Sequence, residues 1–244
     1  MRGLTVRLFL VFLFSLVGCS TLNMGNKGVD LSFEEFEKIL SPRGKVLLEG
    51  EEAMLVLIAM PGDAYAKVYH YDFKTKKFKT EYDHGRNISG LTEDRTGKRV
   101  YLHIDNNGDE NTQIYAYDRK AKKPKLLFGR DKFRSYVINT DQKGETLFFI
   151  SNHENKAIYS VYKMKFSDQK VDRISDGKTN ISYGMVSPKG DKFVGVRALS
   201  NNENQLFLID PQSKSSRLLF KKPTSVFYPT FFDQAGENLF GTSD

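Results

Sequence analysis

The chain has 244 residues, a formal charge of +7, 39% hydrophobic residues and 27% charged residues. This composition is typical of a folded soluble body and excludes a disordered chain, and the length accommodates one large domain or two small ones. The basic residues are scattered through turns such as KTKKFK and RKAKKPK rather than gathered on one helix or arm, so we expect no nucleic-acid binding.

The first residues have the features of a secretory signal peptide. Two basic residues, Arg2 and Arg7, are followed by the apolar stretch LFLVFLFSLV at residues 8–17. This stretch is about half as long as the roughly 20 residues that span a bilayer. We therefore predict a signal peptide at residues 1–18, and loss of its two arginines lowers the formal charge from +7 to +5.

The signal ends in Leu16-Val17-Gly18-Cys19, which resembles the lipobox of bacterial lipoproteins. The resemblance implies that cleavage falls before Cys19, that its sulfur is lipidated and that its new amine is acylated. Ser20 stands where an aspartate would favour the inner membrane, so the resemblance implies an outer-membrane anchor facing the periplasm. More than one acyl chain gives stable anchoring. An ordinary secretory signal is the alternative. Because Cys19 is the only cysteine, no intramolecular disulfide is possible.

Two short segments precede the main body. Residues 19–30 are polar and rich in Gly and Asn, which predicts a flexible tether. Residues 31–44 are predicted to form a short helix and a turn, because Ser32 and Glu35 have capping-box spacing and SPRG follows. Four apolar side chains of the segment fall near one helix face: Phe33, Phe36, Ile39 and Leu40.

The rest of the chain is a repeat. Four-residue turns of the type Asp-x-x-Gly or Ser-x-x-Gly end at Gly97, Gly144, Gly190 and Gly236, which are 47, 46 and 46 residues apart. Each turn leads into an apolar strand, and the same step back from Gly97 reaches EEAMLVLIAM, an equivalent strand without the glycine. Glycine suits these positions because a tight turn often requires positive φ.

Each repeat contains about four strand-like segments. A segment such as SYVINT precedes the glycine turn, and segments such as QIYAYD and KPKLLF follow the apolar strand. A period in the forties with four strands is typical of a β-propeller blade, and blades bury their faces against one another. We therefore predict an all-β fold at residues 45–244: a partial propeller of four blades and part of a fifth, with its Tyr and Phe packed between blades.

The polar stretch from Asp105 to Thr112 lies between the second and third strands of a repeat. We predict that it and its equivalents, residues 151–157 and 198–205, are hairpin tips on one rim of the propeller. An EF-hand calcium loop does not fit, because its sixth position is Glu110 and its twelfth is Ala116. A weak surface calcium site is the alternative.

Turns such as SPKGDK and strands such as QIYAYD resemble the repeats of TolB-like propellers. The pair NNGDENTQIYAYD and SNHENKAIYSVYKM resembles the N-terminal propeller of the prolyl oligopeptidase family, over about residues 45–244. The resemblance implies a propeller that admits substrates by size, with peptide or an envelope protein at its rim or in its central funnel. In that family the catalytic residues belong to a separate domain, which this sequence does not contain. A stand-alone propeller that binds envelope proteins is the alternative.

Other catalytic or ligand signals are weak. Gly241-Thr242-Ser243-Asp244 begins like a serine elbow but falls on a predicted strand. The four histidines share no metal-ligand spacing. The pair Glu34-Glu35 resembles the glutamates that bind a substrate amino terminus in dipeptidyl peptidases, yet it precedes the propeller. We predict no catalytic residue, no metal and no cofactor.

The last repeat contains only its first two strands. Families of this type usually close with six to eight blades, and a cut sheet has an unpaired edge. This pattern predicts that the chain is the N-terminal part of a longer protein or a truncated reading frame. The alternative is a small propeller that closes with its N-terminal strand.

Overall fold

The computed structural model describes residues 44–47, 52–105, 108–130, 132–219 and 226–243. The predicted signal peptide, Cys19, the tether, the helix at residues 31–40 and the Glu34-Glu35 pair lie outside these residues. The described part contains no helix that is long and apolar enough to cross a membrane. Its regular structure is β-strand, in agreement with the predicted all-β class.

The strands of the described residues form four antiparallel sheets of four strands and one of two. Consecutive strands pair, so each sheet is a meander with the order of the sequence, as predicted for propeller blades. Blade 1 holds β1 (Gly44–Leu47), β2 (Ala53–Ile58), β3 (Lys67–Asp72) and β4 (Lys77–Tyr82); blade 2 holds β5 (Ile88–Glu93), β6 (Val100–Ile104), β7 (Gln113–Asp118) and β8 (Lys123–Phe128); blade 3 holds β9 (Ser135–Thr140), β10 (Thr146–Ser151), β11 (Ser160–Lys165) and β12 (Val171–Arg173); blade 4 holds β13 (Tyr183–Val186), β14 (Phe193–Ser200), β15 (Glu203–Ile209) and β16 (Ser216–Leu218); the last sheet holds β17 (Phe227–Phe232) and β18 (Leu239–Ser243).

Two boundaries differ from the prediction. Gly44 was expected in the turn after the helix, but it begins β1, which pairs with β2 and completes blade 1. The predicted tip at residues 198–205 is mostly strand, because β14 and β15 pair as far as Ser200 and Glu203 and leave a two-residue tip. Two consecutive asparagines at that tip suit a tight turn, so the hairpin extends further than its counterparts.

The second strand of each complete blade is buried on both faces. In β6, Leu102 and Ile104 join a core with blade 1, whereas Tyr101 joins a core with blade 3. In β10, Phe148 packs toward blade 4 and Phe149 packs toward blade 2. Because strand side chains alternate between faces, one continuous apolar run supplies two cores. This arrangement explains runs such as TLFFI.

The repeated glycine turns have one geometry. In each turn the glycine N–H donates to the carbonyl of the first turn residue at 3.0 Å, and φ lies between 69° and 72° at Gly97, Gly144, Gly190 and Gly236. The turns also connect neighbouring blades. Nη1 of Arg99 in blade 2 donates to the Gly144 carbonyl at 2.6 Å, and Nζ of Lys192 in blade 4 donates to the Gly236 carbonyl at 2.8 Å.

The buried side chain of His103 makes the fold sensitive to acid. Its Nε2 accepts the N–H of Val137 from blade 3 at 3.2 Å, and burial lowers its pKa from 6.5 to about 4. The folded chain therefore keeps His103 neutral, whereas the unfolded chain binds a proton below about pH 6.5. The contribution of neutral His103 to the free energy of unfolding is fully present above pH 6.5. It decreases by up to about 3 kcal/mol as the pH falls toward 4.

We expect His103→Gln to flatten the pH dependence of the free energy of unfolding between pH 7 and pH 4, whatever it does to stability at pH 7. Chemical denaturation at several pH values measures this slope, with His70→Gln on the partly buried position of β3 as the control. His84 and His153, whose pKa values burial also lowers, keep a residual slope in both variants. An unchanged slope in His103→Gln would contradict the assignment.

Candidate functional site

The first strands of the later blades line a shared cavity. Strands β9, β13 and β17 are the first strands of three consecutive sheets, each at one edge of its sheet, and β13 contacts the other two. Their side chains and the turns that follow them enclose 690 Å³. We call this space the inner cavity. Its volume lies within the range of roughly 300–1,000 Å³ that is usual for ligand sites.

Arg95 is the one charged side chain among the described residues that line the inner cavity. It is the second residue of the glycine turn in blade 2, and it reaches two other blades. Its main-chain N–H donates to Oγ1 of Thr140 at 3.4 Å, and its Nη2 donates to the carbonyl of Val186. Burial lowers the pKa of Arg95, which nevertheless stays protonated. Its Nη1 is buried and has no hydrogen-bond partner within the described residues.

Exposed aromatic rings form another part of the wall. Tyr183 on β13 is 45% exposed and Phe231 on β17 is 53% exposed. The prediction that strand Tyr and Phe pack between blades is confirmed for Tyr101, Phe149 and others, but it is wrong for these two and for three more exposed strand rings, Phe78, Tyr228 and Phe240. Rings that stand in a concave, partly apolar space can bind apolar side chains or the flat faces of peptide groups.

The glycine turns contribute to the cavity through their second residues. Arg95, Pro188 and Gln234 line it, whereas the turn glycines hold the turn geometry. Sequence reasoning therefore chose the right turns but missed Arg95. A signal was present, because the equivalent residues in the other turns, Gln142, Pro188 and Gln234, carry no charge.

The predicted hairpin tip after β6 lies away from this cavity. The Asp105 carboxylate accepts hydrogen bonds from the Gly108 N–H at 2.9 Å and from Nδ2 of Asn87 at 3.0 Å. Oδ1 of Asp109 accepts the Asn111 N–H at 2.9 Å. These carboxylates therefore stabilise the loop. Within the described ranges, no three His, Cys, Asp or Glu side chains group as metal ligands.

The described lining of the inner cavity has no arrangement for covalent catalysis. Its serine, Ser182, donates its hydroxyl to the Val196 carbonyl at 3.1 Å, and no histidine or carboxylate lines the same wall. The described residues of the serine-elbow candidate, Gly241 to Ser243, are part of strand β18, where Gly241 pairs with Pro229. The cavity can therefore bind a chain through rings, main-chain groups and one cation, but its described residues include no activated nucleophile.

Comparison with solved structures finds the same fold in functionally different proteins. TolB from Acinetobacter baumannii matches with a TM-score of 0.53 and 16% identity over 79% of this chain and 52% of that one. Prolyl oligopeptidase B from Galerina marginata, bound to a 25mer macrocyclization substrate, matches with a TM-score of 0.55 and 12% identity over 72% and 27%. Hydrazine synthase from Kuenenia stuttgartiensis matches with a TM-score of 0.59 and 16% identity over 82% and 61%.

These matches establish a β-propeller fold of the kind found in TolB and in prolyl oligopeptidases. Identities of 12% and 16% support a shared fold but no shared function, because one propeller architecture serves many functions. This chain spans about half the length of the TolB structure. No protein-family profile matches the sequence, and no curated protein matches it.

Proposed function

We propose that this chain is a non-catalytic peptide-binding propeller of a lipid-anchored envelope protein, and that it controls which peptides reach a serine peptidase domain of the prolyl oligopeptidase type. The observation that carries the proposal is the inner cavity, with the exposed rings of Tyr183 and Phe231 and the half-buried cation Arg95. An extended peptide offers apolar side chains for the rings, and its terminal or side-chain carboxylate can pair with Arg95.

A labelled, unstructured octapeptide is expected to bind the chain saturably when fluorescence anisotropy is measured. Tyr183→Ala and Phe231→Ala should each weaken binding about tenfold, because each removes one contact wall. Phe78→Ala is the matched control, since Phe78 is 39% exposed on the outer strand β4 and does not line the cavity. Equal affinities in all three variants would contradict the proposed site.

Arg95 is tested with two forms of the same peptide, one with a free carboxyl terminus and one with a terminal amide. We expect the wild-type chain to prefer the carboxylate and Arg95→Gln to lose that preference. Because Arg95 also donates to Val186, thermal unfolding of the variant is measured in parallel. A preference that persists in a folded Arg95→Gln variant would exclude this role.

The proposed location in the cell envelope rests on the sequence around Cys19. We propose that the mature protein begins at Cys19 and is attached through its lipid to the outer membrane, facing the periplasm. Mass spectrometry of the protein from its native envelope should find a diacylglyceryl thioether on an acylated Cys19. An unlipidated mature N-terminus would contradict the anchor.

A stand-alone propeller that holds envelope proteins together is the second candidate. It is supported by the fold match to TolB from Acinetobacter baumannii. A photo-crosslinking residue in place of Tyr183 separates the two in intact cells. Adducts with one folded envelope protein support this candidate, and adducts with assorted short peptides support the peptidase proposal.

A further inference from the structure

A second cavity of 520 Å³ lies between blades 2 and 3. It is lined by β8 and the residues that follow it, by the hairpin tip after β10, and by β11 and β12 with the turn between them. It shares no described lining residue with the inner cavity. We call it the interblade pocket, and its ligand is independent of the peptide-binding proposal.

Three rings in mutual contact form one wall of the interblade pocket. The ring centroids of Phe128 and His153 are 5.0 Å apart, those of His153 and Tyr162 are 4.5 Å apart, and those of Phe128 and Tyr162 are 6.4 Å apart. Such a wall favours a flat, partly apolar ligand, because aromatic rings gain additional stability from stacked and edge-to-face contacts.

The charged groups of the interblade pocket leave one positive charge unbalanced. Arg173 forms an ion pair with Glu154, whereas Arg130 is exposed and forms no ion pair with any described residue. Burial lowers the pKa of His153. The charge of Glu154 opposes this shift and the charges of Arg130 and Arg173 add to it, so the pKa stays below its usual 6.5 and the ring is neutral at pH 7. Among the described lining residues, two guanidinium groups and one carboxylate therefore give a net charge of +1.

Two polar atoms of the aromatic wall also lack ordinary hydrogen bonds. Nδ1 of His153 and the hydroxyl of Tyr162 are buried, and neither has a hydrogen-bond partner of normal geometry within the described residues. A buried polar atom without a partner is destabilising, so native structures rarely leave one unpaired. Both atoms belong to residues that line the pocket.

We propose that the interblade pocket binds a small planar organic anion, such as an aromatic carboxylate. The ring of the ligand packs on the partly exposed Phe128 and His153, which the buried Tyr162 supports from behind, and its carboxylate pairs with Arg130. Arginine suits this role because its planar guanidinium can hold a carboxylate through two parallel hydrogen bonds. The pocket volume is ample for one ring with its acidic group.

Benzoate is the probe, titrated into the full chain at pH 7 by isothermal calorimetry. We expect saturable binding that Arg130→Gln weakens at least tenfold. Arg217→Gln should leave it unchanged, because Arg217 is exposed on β16 and does not line the pocket. Benzamide has the same shape without the charge, and it should bind at least tenfold more weakly than benzoate.

The position of the ligand is tested by nuclear Overhauser contacts between benzoate protons and the Phe128 ring. Contacts that disappear in Arg130→Gln support the proposal. Equal benzoate affinity in Arg130→Gln and Arg217→Gln would overturn it, and so would a loss of binding in Arg95→Gln alone, which would assign the anion to the inner cavity. The absence of saturable binding in the wild-type chain would overturn it as well.

Discussion

Replacing Phe149 with alanine is expected to lower the free energy of unfolding by about 3–5 kcal/mol. Its side chain is fully buried at the centre of the core between blades 2 and 3. Its ring lies 4.5 Å from that of Phe128 and 5.5 Å from that of Tyr162, measured between centroids. Truncation removes apolar burial and leaves a cavity that backbones held in two separate sheets cannot readily close.

Chemical denaturation measures the effect, and Phe231→Ala is the matched control. Phe231 is a strand phenylalanine of the same size, but it is 53% exposed, so its loss should cost no more than about 1 kcal/mol. Similar costs for the two variants would mean that the interblade core is not what stabilises these blades. The comparison also shows whether the Phe231 variant used in the peptide assay remains folded.

Replacing Gly144 with alanine is expected to lower the free energy of unfolding by about 2–4 kcal/mol, because two effects add. Its φ of 69° is unfavourable for any residue with a side chain. In addition, a Cβ at Gly144 would lie 2.9 Å from Cγ2 of Thr96, which belongs to the glycine turn of blade 2. The substitution therefore pushes apart two blades that the Arg99 hydrogen bond holds together.

Two further variants separate these effects in thermal and chemical unfolding. Gly62→Ala has a similar positive φ of 92° but no atom within 4 Å of its Cβ, so it should cost only about 1–2 kcal/mol. Thr96→Ser removes the clashing methyl group while it keeps the hydroxyl that donates to Asp94. In the Thr96→Ser background, Gly144→Ala should lower the free energy of unfolding by about 1 kcal/mol less than it does in the wild-type chain. No difference between the backgrounds would exclude the clash.

Most of the fold could be predicted because its signals are local. The glycine turn is closed by one hydrogen bond between residues three apart, so its residues mark the same point in every repeat. Strands such as β6 and β10 are buried on both faces, so they are visible as continuous apolar runs. Strand β1 had no such signal, because it is only four residues long and, unlike the first strand of each later sheet, it does not lead into a glycine turn.

The residues of the candidate site could not be predicted in the same way. Tyr162 and Tyr183 are both strand tyrosines, yet one is 1% exposed and the other 45% exposed. The difference arises from the blade and strand that face each ring, and those contacts join residues far apart in the chain. His103 likewise becomes a buried, neutral acceptor only because Val137 of the next blade lies against it.

The sequence by itself determined the repeat, the strand order and the turn geometry, because each depends on residues within one blade of about 46 positions. Only the tertiary structure decided where ligands could bind. Arg95 reaches Val186 across 91 residues, and the interblade pocket exists because the rings of two blades meet. Such sites form when separate sheets pack face to face, and no local pattern specifies which side chains meet there.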